Sequence, residues 1–213
     1  NYFLQGRSIS KRIFSIDFAA SLRKGEQSKM KLTFQNKIQK LVVTGVFTAV
    51  LAVLSQLSIP MPTGVPVTLQ TFGVALCAFA LGPKLGTISV FLYLVMGAVG
   101  IPIFSGFSGG FGILLGMTGG FLWGFLLMAV LCGIGVQLNR RLWAIVLGLS
   151  GLALCHICGT FQFMLVTGSP VLQSFLTASA PYLIKDVISV VLAFLAAEAI
   201  LFSLKKAKVV STK

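Results

Sequence analysis

The sequence predicts an all-α, polytopic membrane protein of six transmembrane helices, with an irregular Gly-rich segment in one outer loop. Composition is the first reason. Of 213 residues, 56% are apolar and 10% charged, and the mean hydropathy is +0.98, whereas a soluble domain carries about a quarter charged residues. Charge spacing is the second. The 17 Lys and Arg against four acids would suit a nucleic-acid binder only if they shared one folded face. They stand instead at both chain ends and at two short points between long uncharged runs, so no nucleic-acid partner is expected. Run length is the third, because about 20 apolar residues cross about 30 Å of hydrocarbon.

Residues 1–29 come before any such run. Asn1-Tyr2-Phe3-Leu4-Gln5-Gly6 resembles the cleavage scar of an expression tag, the first Met is Met30, and the segment holds six basic and two acidic residues. It reads as a tag or linker, or as an amphipathic N-terminal targeting extension. Residues 30–213 are expected to form a single membrane domain. Its six runs extend from Leu41 to Ile59, Val67 to Leu81, Leu85 to Gly100, Met117 to Leu138, Leu142 to Val166 and Ala178 to Leu204. The second and third are short for full spans, which predicts a thin or tilted region of the bundle.

Orientation follows from the connections. Lys31, Lys37 and Lys40, then Lys84, then Arg140 and Arg141, then Lys205, Lys206, Lys208 and Lys213 mark alternate ends of the runs. The connections Ser58 to Pro66, Ile101 to Gly116 and Thr167 to Ser179 carry no charge. This alternation predicts both termini in the cytoplasm and three uncharged outer loops. Pro60, Pro62 and Pro66 make the first of these a stiff, extended cover. Gly100 to Gly120 holds eight Gly and one Pro, too many for a helix interior. Irregular backbone at membrane depth needs protein or a water-filled cavity around it, so this segment is expected to re-enter the bundle or line a pocket; a flexible surface loop is the other reading.

Several motifs lack the context their chemistry needs. No Gly-x-x-x-x-Gly-Lys-Ser/Thr phosphate loop occurs, so ATP hydrolysis is not expected on this chain. Gly106-Phe107-Ser108-Gly109-Gly110 fits Gly-x-Ser-x-Gly, and with His156 it outlines an intramembrane serine hydrolase; no strand-to-helix turn supports that, and a lone His in a bundle also serves as a packing hydrogen bonder. Cys155-His156-Ile157-Cys158 lacks the His after its second Cys that haem attachment needs and the fourth ligand that zinc needs, so no metal site is expected. Cys77 and Cys132 likewise lie in apolar runs and read as small buried residues. Gly45 and Ala49 put two small residues one turn apart, a groove for packing inside the bundle or for docking another membrane subunit. Lys185 and Asp186 are adjacent opposite charges near the outer end of the last run. Charges inside a membrane segment usually face a cavity or a partner, although a pair at the lipid interface with Lys185 snorkelling is also open.

Taken in order, Pro66-Val-Thr-Leu-Gln70, Leu81-Gly-Pro-Lys-Leu-Gly86, Tyr93-Leu-Val-Met-Gly97, Gly100-Ile-Pro-Ile-Phe-Ser-Gly106, Gly109-Gly110 and Gly116-Met-Thr-Gly-Gly-Phe121 resemble the BioY family. These are the biotin-specific substrate-binding components of energy-coupling-factor (ECF) vitamin transporters. The resemblance covers Leu41 to Leu204. It implies a bacterial plasma-membrane protein, not itself an enzyme and without a cofactor, that captures biotin from outside. A transmembrane coupling subunit and two cytoplasmic ATPases would supply the energy, and Gly45 and Ala49 match the place where such components dock. The site residues it implies are Asp186, Lys185, Ser108, Gly109, Gly110, Phe104, Tyr93 and Gln70. Three positions depart from the family: Ser189 stands where a Lys is common, Ser108 where many members have Asn, and Leu122 where some have Arg. Lys185 could replace the missing charge if its side chain curled toward the pocket, or backbone N–H groups of the glycine loop could hold the carboxylate. A component for a different vitamin, the hydrolase of Ser108 and His156, and a purely structural packing subunit are the competing readings.

Overall fold

A computed structural model describes residues 36–206; the expected tag or extension at 1–29 lies outside the described residues. The helices are α1 (Lys37–Gln56), α2 (Gln70–Ala98), α3 (Phe111–Leu115), α4 (Gly119–Gln137), α5 (Arg141–Thr167), α6 (Val171–Ala178) and α7 (Ala180–Lys206). Two short strands, β1 (Ser58–Ile59) and β2 (Val67–Thr68), pair antiparallel with Ser58 opposite Thr68 and Ile59 opposite Val67. Helices α1, α2, α4, α5 and α7 are long and apolar enough to cross a membrane.

Those five helices make six passes, because α2 is folded in two. Gly82 sits at φ 77°, ψ −177°, a conformation open to glycine and closed to most side chains, and Pro83 follows it. The chain reverses there so sharply that a Cβ on Gly86 would lie 2.6 Å from Cα of Ala78. Residues 70–81 and 83–98 are thus the expected second and third runs, at about 18 and 24 Å of helical rise each. Their shortness is real.

Along α1 a mostly polar stripe points inward and many apolar side chains point outward. Thr44, Thr48, Leu51 and Ser55 form its buried stripe, while Ile38, Leu41, Val46, Val50 and Val53 are exposed, as suits a helix facing lipid. Thr48 Oγ1 donates to Ser89 O at 3.2 Å and Ser89 Oγ donates to Thr44 O at 3.2 Å, tying α1 to the second half of α2. Helices α4 and α5 pack antiparallel through small residues: Gly124 lies against Cys155, Gly151 against Met128 and Gly135 against Ala144. The core between the passes is apolar, with Phe79 edge-on to Phe194 at 5.4 Å.

One end of the bundle carries Lys37, Lys84, Arg140 and Arg141. There Pro83 touches Gly133, and Arg141 Nε donates to Glu198 Oε1 at 2.8 Å, which gives Glu198 a role that the sequence did not reveal. The uncharged connections gather at the other end and differ from expectation in two places. Within the all-α fold the Pro-rich cover is clasped by a short β-hairpin, and residues 167–179 contain α6, an extra helix whose Val171, Leu172, Phe175 and Leu176 are exposed.

Candidate functional site

A cavity of about 750 Å³ opens at the uncharged end, within the roughly 300–1,000 Å³ span of small-molecule pockets. Among the described residues, all seven helices and three of the connections between them contribute to it. Phe104, Phe121, Leu122, Phe125, Leu152 and Cys155 supply apolar walls; Gln56, Ser58, Met61, Ser105, Gly106 and Phe107 also line it; Thr68, Gln70, Thr71, Tyr182, Lys185, Asp186 and His156 supply polar groups.

The glycine segment owes its shape to a ring in a socket. The Phe104 ring lies where a Cβ on Gly97 would be, 2.1 Å from it at the nearest atom, so only glycine admits it. Tyr93 meets that ring edge-on at 5.4 Å, accepts from Gln70 Nε2 at 2.7 Å and donates to Ile103 O at 3.3 Å. Phe104 and Ser108 then pair N–H to O across a tight turn at 2.9 and 3.3 Å. Gln56 holds this turn from α1: its Nε2 donates to Phe104 O at 3.2 Å and its Oε1 accepts from Phe107 N at 2.9 Å. Ser55 Oγ donates to Ile103 O beside it. On the other side, Gln162 Nε2 donates to Leu114 O at 2.9 Å and to Gly116 O at 2.8 Å, anchoring the chain around α3 to α5.

The hairpin is fastened by α7. Tyr182 Oη donates to Val65 O at 2.5 Å and lies 2.9 Å from Thr63 Oγ1. One turn further along α7, Asp186 is 5% exposed. Lys185 Nζ lies 2.5 Å from its Oδ1 and donates to Thr68 O at 2.8 Å; His156 Nε2, from α5, lies 3.4 Å from its Oδ2. Phe121 meets the His156 ring edge-on at 5.7 Å. A buried carboxylate with a cation on one oxygen and an imidazole on the other satisfies the requirement that buried charge be paired. It leaves a compact polar cluster against apolar walls, suited to a ligand with an apolar body and a polar ring.

A family model described as the BioY family matches residues 26–206. The chain belongs to the BioY family. A biotin transporter BioY of Thermotoga maritima is 40% identical over 125 residues, covering 58% of this chain and 73% of that protein. A probable biotin transporter BioY of Pyrococcus horikoshii is 33% identical over 162 residues, covering 76% and 96%. Among solved structures, the S-component for biotin from an ECF-type ABC transporter superposes with a TM-score of 0.67 at 26% identity, covering 78% of this chain and 95% of that one. A six-pass BioY fold is therefore the frame within which the expected site residues are placed.

Five of those residues line the cavity of this BioY-family chain: Gln70, Phe104, Ser108, Lys185 and Asp186. Lys185 does curl over toward Asp186 and the hairpin. Tyr93, fully buried, stands behind Gln70 and Phe104 as a support. Gly109 packs so closely on the chain that a Cβ would lie 2.5 Å from Ile101 O, and Gly110 N donates to Gly97 O at 2.7 Å; neither lines the cavity. Ser108 Oγ donates to Ser105 O at 2.7 Å, and His156 Nε2 is turned to Asp186, so the two members of the Gly-x-Ser-x-Gly reading serve separate partners. Gly45 and Ala49 face outward and are exposed, with nothing within 4 Å of a Cβ built on Gly45; the internal-packing reading of that pair is not how the fold uses it. Sequence reasoning placed His156 in packing and passed over Thr68, Thr71 and Tyr182. The available signal was that an ionisable residue inside a membrane segment is a site candidate by default.

Proposed function

We propose that this chain is the integral-membrane substrate-binding component of a biotin uptake system. The observation that carries it is the cavity, a closed polar cluster of Asp186, Lys185 and His156 set in apolar walls, within a fold whose relatives are named biotin transporters. Biotin has a ureido ring with two N–H donors and a carbonyl, an apolar bicycle and chain, and a terminal carboxylate. Asp186 accepts from ureido N–H groups, Lys185 and His156 orient that carboxylate, and Gln70 and Ser108 offer further polar contacts. Phe104 and its apolar neighbours enclose the bicycle.

The cavity end faces outward and the basic end lies in the cytoplasm of a bacterial cell, both termini included, as the placement of Lys and Arg supports. Energy comes from partners: a transmembrane coupling subunit and two cytoplasmic ATPases, for which the open face at Gly45 and Ala49 is the docking place. Equilibrium dialysis of the purified protein against radiolabelled biotin tests the central reading. Saturable binding of one biotin per chain, undiminished by excess of other vitamins, is expected; displacement by another vitamin in preference to biotin would favour the alternative ligand class, and no saturable binding would remove the reading. Gly45→Leu should leave biotin affinity within about twofold yet reduce co-purification of the coupling subunit; unchanged co-purification would move the docking face elsewhere.

A further inference from the structure

Among the described residues, the cavity contains a single cationic side chain. Of the residues that line it, Lys185 alone carries a fixed positive charge, and that charge is already committed. Its Nζ lies 2.5 Å from Asp186 Oδ1 and donates to Thr68 O at 2.8 Å. One of the three directions in which an ammonium group donates is thereby taken, and its charge is balanced by the nearest carboxylate.

Backbone amides are the other means of holding an anion without a cation, through N–H groups converging on a concavity. Here four amides of the glycine segment already have acceptors. Phe104 N donates to Ser108 O, Ser108 N to Phe104 O, Phe107 N to Gln56 Oε1 and Gly110 N to Gly97 O. Freeing any of them would undo the turn that shapes the cavity wall. The lining's one fixed cation is thus matched by its one carboxylate.

We infer that the site recognises its ligand at the polar ring and gives the ligand's carboxyl end no dedicated counter-charge, so that its ligand class extends to biotin derivatives with a neutralised carboxyl group, esters and amides among them. This rests on the reading of biotin as the ligand. A carboxylate moved from water into a low-dielectric site needs a cation or several donors to offset its lost hydration. Without an unpaired cation, it stays at the open, hydrated side of the cavity, beside Ser105 and Phe107, where an ester or amide substituent has room. Lys185 then acts as a positioning residue, holding Asp186 and the hairpin together through Thr68.

Binding of four ligands to the purified wild-type protein tests this, without any variant that must fold: biotin, biotin methyl ester, biotinamide, and diaminobiotin, whose ureido ring is opened. The expected result is affinities for the ester and the amide within about threefold of biotin, and a loss of a hundredfold or more for diaminobiotin. Ester and amide both weaker by tenfold or more would overturn the inference while leaving biotin as the ligand; no binding of biotin itself would remove the biotin reading and the inference with it. A second arm uses Lys185→Met. If Lys185 only positions Asp186, biotin and biotinamide lose affinity by the same factor; a loss for biotin tenfold greater than for biotinamide would show Lys185 to be the carboxylate's partner after all.

Discussion

Asp186 and Glu198 stand on the same helix, twelve residues or about 18 Å apart, and each is matched with a basic group. Their surroundings differ in kind. Asp186 collects Lys185 from its own helix and His156 from α5, and it lines a cavity. Glu198 meets Arg141 at 2.8 Å across the α5–α7 interface, at the end where Pro83 and Gly133 are in contact. One pair is arranged around a space and the other around a seam. A buried acid in a membrane segment is thus a pointer to a ligand only when its partners leave it beside a void; the same residue type across a helix–helix seam is a fastening.

That contrast can be broken by substitution. The largest effect belongs to Asp186→Asn, which should weaken biotin binding at least a hundredfold, about 2.7 kcal/mol, with the folded state retained; isothermal titration and a melting curve read the two together. Glu198→Gln should do the reverse, lowering stability by about 1–3 kcal/mol as the Arg141 bond weakens while biotin affinity stays within about threefold. Should Glu198→Gln abolish binding, the distinction between space and seam is lost. Tyr182→Phe removes the bond that fastens the hairpin and is expected to cost about 1 kcal/mol, seen as severalfold faster biotin dissociation in a stopped-flow chase; an unchanged rate would mean that the hairpin is not the cover. Smallest is Ser189→Ala, expected to change affinity by less than about twofold, against a much larger loss for Lys185→Ala. Equal losses at 185 and 189 would contradict the placement of Lys185 in the cavity.

The passes were legible because apolar length and basic punctuation are properties of contiguous sequence. Helices α1, α4 and α5 begin and end within a few residues of where the uncharged runs do, and Gly82-Pro83-Lys84 announced its reversal by composition. Segments whose structure depends on distant partners were not legible. The β-hairpin needs Tyr182, more than a hundred residues downstream, and α6 lies in a connection judged only by its lack of charge. The same division runs through the site. Lys185 and Asp186 stand out in sequence because they are adjacent opposite charges within a membrane segment. His156 could not be assigned to Asp186, because the two are 30 positions apart on different helices. Tyr93, Gly109 and Gly110 do not line the cavity, and motif membership does not distinguish a residue that touches the cavity from one that props its wall.

Residues 70–81 are buried on every side except for a partly exposed Phe72. A helix in contact with lipid must match the hydrocarbon thickness or deform it, but this one is sheathed by protein. Its brevity therefore puts no stress on the surrounding bilayer. The pass behaves as a spindle inside the bundle, indifferent to membrane thickness, while α1, exposed along most of its length, answers to it. Moving the protein between thin and thick bilayers should accordingly tilt the outer helices around an inner axis that stays as it is.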